Sequence, residues 1–187
     1  ISRTQKQTLN RNGRITSFDA FGTGTVHFGQ RKVWSLRVTP DVGNIVIGVC
    51  DANAKEPDKG IKSFYALTSR EFHRKHHGFG LHLHWKEIYD NNGGYWTLDM
   101  GQQIDIWQRK PCIIIMDLDI RGKDKCTLGY HVNGEDWGYI DLDEVIDVSK
   151  GYKLAVSVSE KQTIEILHDH YDEEYELDPI CLHKWID

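Results

Sequence analysis

The chain has 187 residues, 39% of them hydrophobic and 27% charged, and carries a formal net charge of −5. That is the composition of an ordinary soluble globular domain, long enough to bury about 70% of its unfolded surface without disulfide or metal staples. The negative balance argues against nucleic acid as a partner, since phosphate binding needs a basic surface, and no apolar run reaches the roughly 18 residues that a membrane-spanning helix requires.

Strand signals dominate from the first third onward. Val33 to Val38 alternates, with Trp34, Leu36 and Val38 on one face. Pro40 to Asn44 holds the turn residues Pro, Asp, Gly and Asn. Ile45, Ile47 and Val49 then share a face of a second strand, so the two runs are expected to form an antiparallel hairpin. The polar loop from Asp51 to Gly60 leads to a short third strand, Phe64 to Thr68, and then to a basic, histidine-rich stretch from Arg70 to His84. Asn91-Asn92-Gly93-Gly94 is a strong turn, and Tyr95 to Asp99 resumes extended structure.

Further along, Ile114, Met116, Leu118 and Ile120 line one face of a long strand, with Asp117 and Asp119 on the other. Leu128, Tyr130 and Val132 alternate, Asn133-Gly134 is a hairpin turn whose two residues tolerate positive φ, and Trp137 to Ile140 returns from it. Leu154 to Ser159 alternates most cleanly of all and is expected to pair with Thr163 to Leu167, with Ile164 and Ile166 facing in and Glu165 facing out. Only Asp143 to Lys150 has a weak helical character. Many short strands with regular turns predict an all-β, two-sheet antiparallel sandwich. Too few helical patterns exist to cover a parallel sheet.

Cys50, Cys112, Cys126 and Cys181 are irregularly spaced and form no C-x-x-C pair, so they are expected to be reduced thiols, with Cys50 and Cys112 as small core residues. His73, His76, His77, His82 and His84 cluster, and His82 and His84 share a strand face. A zinc site would need four converging ligands, or three and a water. A solvated basic loop is the simpler expectation, with a metal site or a pH-sensitive binding loop as alternatives. Asp117 and Asp119 form a carboxylate pair of a kind that acid–base chemistry or Ca²⁺ binding uses. No nucleophile motif such as G-x-S-x-G and no P-loop occurs. Trp34, Trp96 and Trp107 are expected in the core, and Trp85 and Trp137 beside loops, where an aromatic can anchor a partner.

Three ordered blocks resemble the SPRY domain family. The first is Gly29 to Val38 followed by Ile45-Val46-Ile47-Gly48-Val49-Cys50, and the second is Gly94 to Asp99. The third joins Ile115 to Asp119, Thr127 to Gly134 and Gly151 to Val158, similar to the family's "DLD", "TLSFyvNG" and "AVSL" pattern. Tyr130 stands where the family has Phe, Lys153 where it often has Pro, and the segment between Phe72 and Tyr89 is long. The resemblance implies a concanavalin-like jelly-roll sandwich over residues 29–167, an extension at 1–28 packed on it, and an acidic tail at 168–187 docked against it. It assigns "DLD" a structural role.

The resemblance also implies a module that binds a peptide segment or surface of a partner protein through loops at one end, as part of a larger protein such as a ubiquitin-ligase adaptor or signalling scaffold. The expected contact residues are Asp51, Ala52, Asn53, Tyr65, Thr68, Ser159, Glu160 and Lys161, to which aromatic character adds Tyr95 and Trp137. Glu160-Lys161 replaces the aromatic of the family's peptide-binding branch, which suggests a more polar partner surface. The expectation is a non-enzymatic, monomeric domain without cofactor or metal, inside the cell in cytoplasm or nucleus. Opening on Ile1 instead of Met, it is expected to be a piece of a longer protein or a processed form. The alternatives are a lectin-like carbohydrate-binding domain, on fold analogy alone, and a metal-dependent enzyme using the His73–His84 cluster.

Overall fold

The structure is a computed structural model and describes residues 6–7, 18–39, 45–54, 77–83, 85–90, 95–97, 110–122, 126–143, 146–147, 149–158 and 163–172. Its strands are β1 (Lys6–Gln7), β2 (Phe18–Val26), β3 (Arg31–Thr39), β4 (Ile45–Asp51), β5 (Gly78–His82), β6 (Glu87–Asp90), β7 (Tyr95–Thr97), β8 (Cys112–Asp119), β9 (Thr127–Val132), β10 (Glu135–Asp141), β11 (Tyr152–Val158) and β12 (Thr163–Asp172). They form two six-stranded sheets. The first has the order β1-β12-β3-β8-β9-β10 and the second β2-β11-β4-β5-β6-β7. All strand pairs are antiparallel. No helix forms among the described residues; of the segment from Asp143 to Lys150, where helical character was expected, only residues 143, 146–147 and 149–150 are described.

The period-two alternation places the expected side chains inward. Trp34, Leu36 and Val38 of β3, Ile114, Met116 and Leu118 of β8, and Leu128, Tyr130 and Val132 of β9 form the inner face of the first sheet. They meet Ile45, Ile47 and Val49 of β4, Phe79 and Leu81 of β5, Ile88 of β6, and Tyr152, Leu154 and Val156 of β11. Each such side chain contributes about 1.5–3 kcal/mol relative to exposure. Ile164 and Ile166 pack on this cluster from β12. Tyr130 adds a polar tie across the layer, its hydroxyl donating to the Ile47 carbonyl at 2.9 Å.

Two pairings differ from the sequence expectation. The runs 33–38 and 45–49 are not a hairpin: β3 pairs with β8 and β12, and β4 with β5 and β11. Likewise, β11 and β12 lie in different sheets. In both cases successive strands cross the sandwich, and their apolar faces meet through the core instead of lying side by side. Alternation reports which face is apolar and is silent on whether the next strand pairs beside it or packs opposite. The Asn133-Gly134 hairpin does form between β9 and β10, with φ of 52° and 82° at the two turn residues, as a right-twisted two-residue turn requires.

Residues 18–26, expected in an extension packed on the sandwich, form β2, which pairs with β11 in the second sheet. Residues 168–172, expected in the tail, complete β12. The strand expected at Phe64 to Thr68, along with Trp107 and Cys181, lies outside the described residues. Cys50, Cys112 and Cys126 are buried thiols, not joined in a disulfide.

The central strands β4 and β5 are buried on both faces. Their outward positions are small or compact: Val46, Gly48 and Cys50 lie beside His82, Gly80 and Gly78. A Cβ on Gly48 would fall 1.8 Å from the Phe79 carbonyl oxygen, so no other residue fits there without moving the backbone.

A lysine also lies inside. Lys32 is 1% exposed and shares the inward side of β3 with Trp34. Its ammonium pairs with Asp169 at 2.6 Å and lies 4.0 Å from the Tyr171 ring centroid. The Tyr171 hydroxyl donates to the Thr25 carbonyl at 2.7 Å, so β12 of the first sheet is tied to β2 of the second.

Two outcomes follow. Tyr130→Phe keeps the ring and removes the cross-sheet bond, and should lower unfolding free energy by about 1–2 kcal/mol in a denaturant titration with unchanged slope. Burial pushes the Cys112 thiol up to about 11, against a lowering by a backbone hydrogen bond. Cys112 should therefore react with a thiol reagent at pH 8 only in denaturant, and labelling of the native protein followed by peptide mapping checks this.

Candidate functional site at the β5–β6 end

Of the residues expected to form one binding surface, the described ones, Asp51, Ala52, Asn53, Tyr95 and Trp137, are dispersed. Asp51, Ala52 and Asn53 sit where β4 ends, beside the start of β11, and Asp51 pairs in register with Tyr152. Asp51 is buried and committed to its surroundings: its carboxylate accepts from the Asn53 N–H at 2.9 Å and the His77 N–H at 3.3 Å. His77 in turn meets Asp90 at 3.1 Å through Nε2. Burial, followed by the charges of Asp147, Asp51 and Asp90, pushes the Tyr152 phenol above its ordinary value, against the bond it accepts from the Asp147 N–H. This polar group closes one margin of the core.

The turn holding Ser159, Glu160 and Lys161 lies outside the described residues, as do Tyr65 and Thr68. Val158, the residue before that turn, pairs with Ile45, at the opposite end of β4 from Asp51. Tyr95 opens the edge strand β7 and pairs with Tyr89. Trp137, expected as a surface anchor, is 1% exposed and faces the core from β10. A bulge between Asp136 and Gly138 shifts the register there, and the shift turns the indole inward.

Of the expected histidine cluster, His73, His76 and His84 lie outside the described residues, and His77 and His82 do not converge on a common point. They occupy the two ends of the β5 segment, where Asp51 accepts the His77 N–H and Val46 pairs with His82. Among the described residues no group of three or more His, Cys, Asp or Glu side chains is placed to hold a metal. The carboxylates on β8 are each taken by an arginine: Arg31 binds Asp117 in a fork at 3.0 and 2.6 Å, and Arg121 binds Asp119 likewise. Burial alone would raise Asp119, but the Arg121 bonds outweigh it and hold the carboxyl below its ordinary value. This is the geometry of a structural ion pair.

Sequence reasoning noted Trp85 and left it out of the expected contact set, yet here the described surface is most distinctive. Loop 83–86 joins β5 to β6, closed by the Lys86 N–H donating to the His82 carbonyl at 2.8 Å. Lys86 takes a left-handed φ of 58°, which reverses the chain. His82 points out of the second sheet and is 1% exposed. The Trp85 indole lies flat on it, with centroids 4.2 Å apart and planes 9° apart. The Trp85 backbone N–H donates to His82 Nδ1 at 3.3 Å. Tyr89 stands edge-on to both rings at 6.4 Å. The Tyr89 hydroxyl is hydrogen-bonded to the Glu87 carboxylate.

One face of the Trp85 ring is therefore covered by His82, while the side chain remains 54% exposed. A large flat apolar surface is thus presented to solvent on a support that fixes its angle. Lys86 turns the other way, with its ammonium 5.6 Å from the buried Trp137 ring, and so joins the loop to the first sheet. The Leu83 N–H donates to the Ile45 carbonyl, which places the loop at the end of the sandwich where β11 stops.

No protein-family model matches this chain, and no curated protein sequence matches it. Solved structures do. The potassium-bound carbohydrate recognition domain of Emp46p has a TM-score of 0.51 at 12% identity, over 88% of this chain and 81% of that one. The fold is a concanavalin-like sandwich. The TRIM65 PSpry domain aligns at 11% identity over 81% of this chain and 70% of that one, with a TM-score of 0.48. A legume lectin-like domain from Entamoeba histolytica aligns at 14% identity over 92% and 89%, with a TM-score of 0.47. The expected concanavalin-like sandwich holds at the level of fold.

His82→Ala should leave the sandwich folded but remove the support under Trp85. The expected result is a loss of about 1–3 kcal/mol in stability and a shift of the Trp85 indole N–H resonance towards its solvent-exposed position. An unmoved resonance would mean that the loop holds the ring without His82.

Proposed function

We propose that this domain is a protein-interaction module that grips a segment of a partner at the β5–β6 end of the sandwich. The observation that carries the reading is the Trp85 ring, open on one face and locked on the other by His82. Interfaces draw most of their energy from a few aromatic or arginine anchors. A ring that is already immobile loses little entropy when it is covered. Val158 ends β11 opposite Ile45 at this end, and Ser159 to Lys161, which follow it in the chain, are proposed to supply the polar rim of the same surface. Asp51 to Asn53 belong to the opposite end, where Asp51 is consumed by internal hydrogen bonds. The reading involves no catalytic step.

A second reading, carbohydrate binding, is favoured by the likeness to the Emp46p carbohydrate recognition domain. The open face of Trp85 would serve a sugar ring as well as a side chain.

Binding of a co-purifying protein partner should fall at least tenfold in Trp85→Ala, about 1.4 kcal/mol or more, and weaken in Lys161→Glu, with melting temperature nearly unchanged. Partner binding indifferent to Trp85 would sink the first reading. A glycan array run on the same pair of proteins checks the second, which requires a Trp85-dependent glycan signal.

A further inference from the structure

The surface around Trp85 has a charge pattern that selects among partner side chains. Glu87 follows the loop immediately and pairs in register with His82, and on the outward side of β6 its carboxylate is hydrogen-bonded by the hydroxyl of Tyr89, whose ring stands edge-on to Trp85. The ammonium of Lys86, in the loop, lies 5.6 Å from the Trp137 ring, towards the first sheet. His82 beneath the ring accepts the Trp85 backbone N–H at Nδ1. A carboxylate thus stands on the same outward side of the sheet as the Trp85 ring, beside the His82 that supports it. The formal charge of the whole chain, −5, has the same sign.

The geometry points to an arginine side chain of the partner as the group that covers Trp85, its guanidinium stacked on the open indole face with its edge towards Glu87. This inference rests on the reading of Trp85 as the anchor and names the chemistry that the anchor receives. A π-face with an adjacent carboxylate favours a cation over an aliphatic or acidic group. Between the two basic side chains, the planar, weakly hydrated guanidinium covers a flat ring and can still donate in its plane to a carboxylate, whereas an ammonium is a compact and strongly hydrated point charge. Tyr89 stands at a steep angle to the Trp85 ring and limits the direction from which the side chain enters.

The test uses the domain as it stands and a defined probe. An acetylated and amidated Gly-Gly-Arg-Gly-Gly peptide is titrated while the Trp85 indole N–H resonance, assigned through Trp85→Phe, is followed by NMR. Two further peptides carry citrulline, a neutral isostere, or lysine in place of arginine. The expected result is a saturable shift with the arginine peptide, at least threefold weaker with lysine and weaker still with citrulline. Glu87→Gln, which retains an acceptor for Tyr89, should weaken the arginine peptide at least threefold.

Equal responses to arginine and citrulline, no response to arginine, or indifference to Glu87→Gln would each overturn the inference. The parent reading has a separate readout. If Trp85→Ala abolishes binding of the natural partner while Glu87→Gln leaves it intact, the anchor stands and the arginine assignment fails. If Trp85→Ala leaves partner binding intact, both fail.

Discussion

The apolar layer between the two sheets is the constraint from which the rest of the molecule follows. Trp34, Leu36, Met116 and Tyr130 from one sheet meet Ile47, Phe79, Leu81 and Leu154 from the other, all fully or almost fully buried. Interiors of this kind are packed like crystals, so neither sheet slides relative to the other without opening voids. The hydroxyl of Tyr130 on the Ile47 carbonyl adds direction to an otherwise non-directional contact. At one margin the buried Lys32 ammonium, Asp169 and Tyr171 join β12 to β2. At the other, Lys86 over Trp137 joins the β5–β6 loop to β10.

This rigidity separates the two ends chemically. Asp51, His77 and Asp90 lie in register positions that continue the inner faces of β4, β5 and β6, so they seal the core and spend their hydrogen-bonding capacity on one another and on nearby N–H groups. His82, by contrast, is on the outward face of β5. The same imidazole chemistry therefore serves as a polar closure at one end of β5 and as the seat of an exposed indole at the other. A short loop on a rigid scaffold holds a binding group at a defined angle, and the stack of His82 and Trp85 is such an arrangement.

Much of the fold was legible before any coordinates. The alternation over 33–38, 114–120, 128–132 and 154–156 assigned inward faces that the structure reproduces residue by residue. Asn133-Gly134 located its hairpin, because few other dipeptides accept two positive φ angles. Less of the site was legible. Trp137 stood beside a turn signal like an exposed anchor, and the bulge at Asp136 and Gly138 turned it inward. Trp85 carried no periodic signal, because it sits in a loop whose geometry depends on Lys86 adopting a left-handed conformation. The short strand β6 was missed, since four residues are too few for alternation to register.

By itself, the sequence determined the all-β class, the identity of the core and the position of the tightest turn. These depend on local period and local backbone preference, which each residue carries wherever it is placed. Only the tertiary structure decided that β3 and β4, and β11 and β12, cross between sheets instead of pairing. Only the tertiary structure put Asp51 and the β5–β6 loop at opposite ends, and laid Trp85 on His82. Pairing partners and ring contacts are relations between residues distant along the chain or in non-repeating conformations, and such relations are settled by packing.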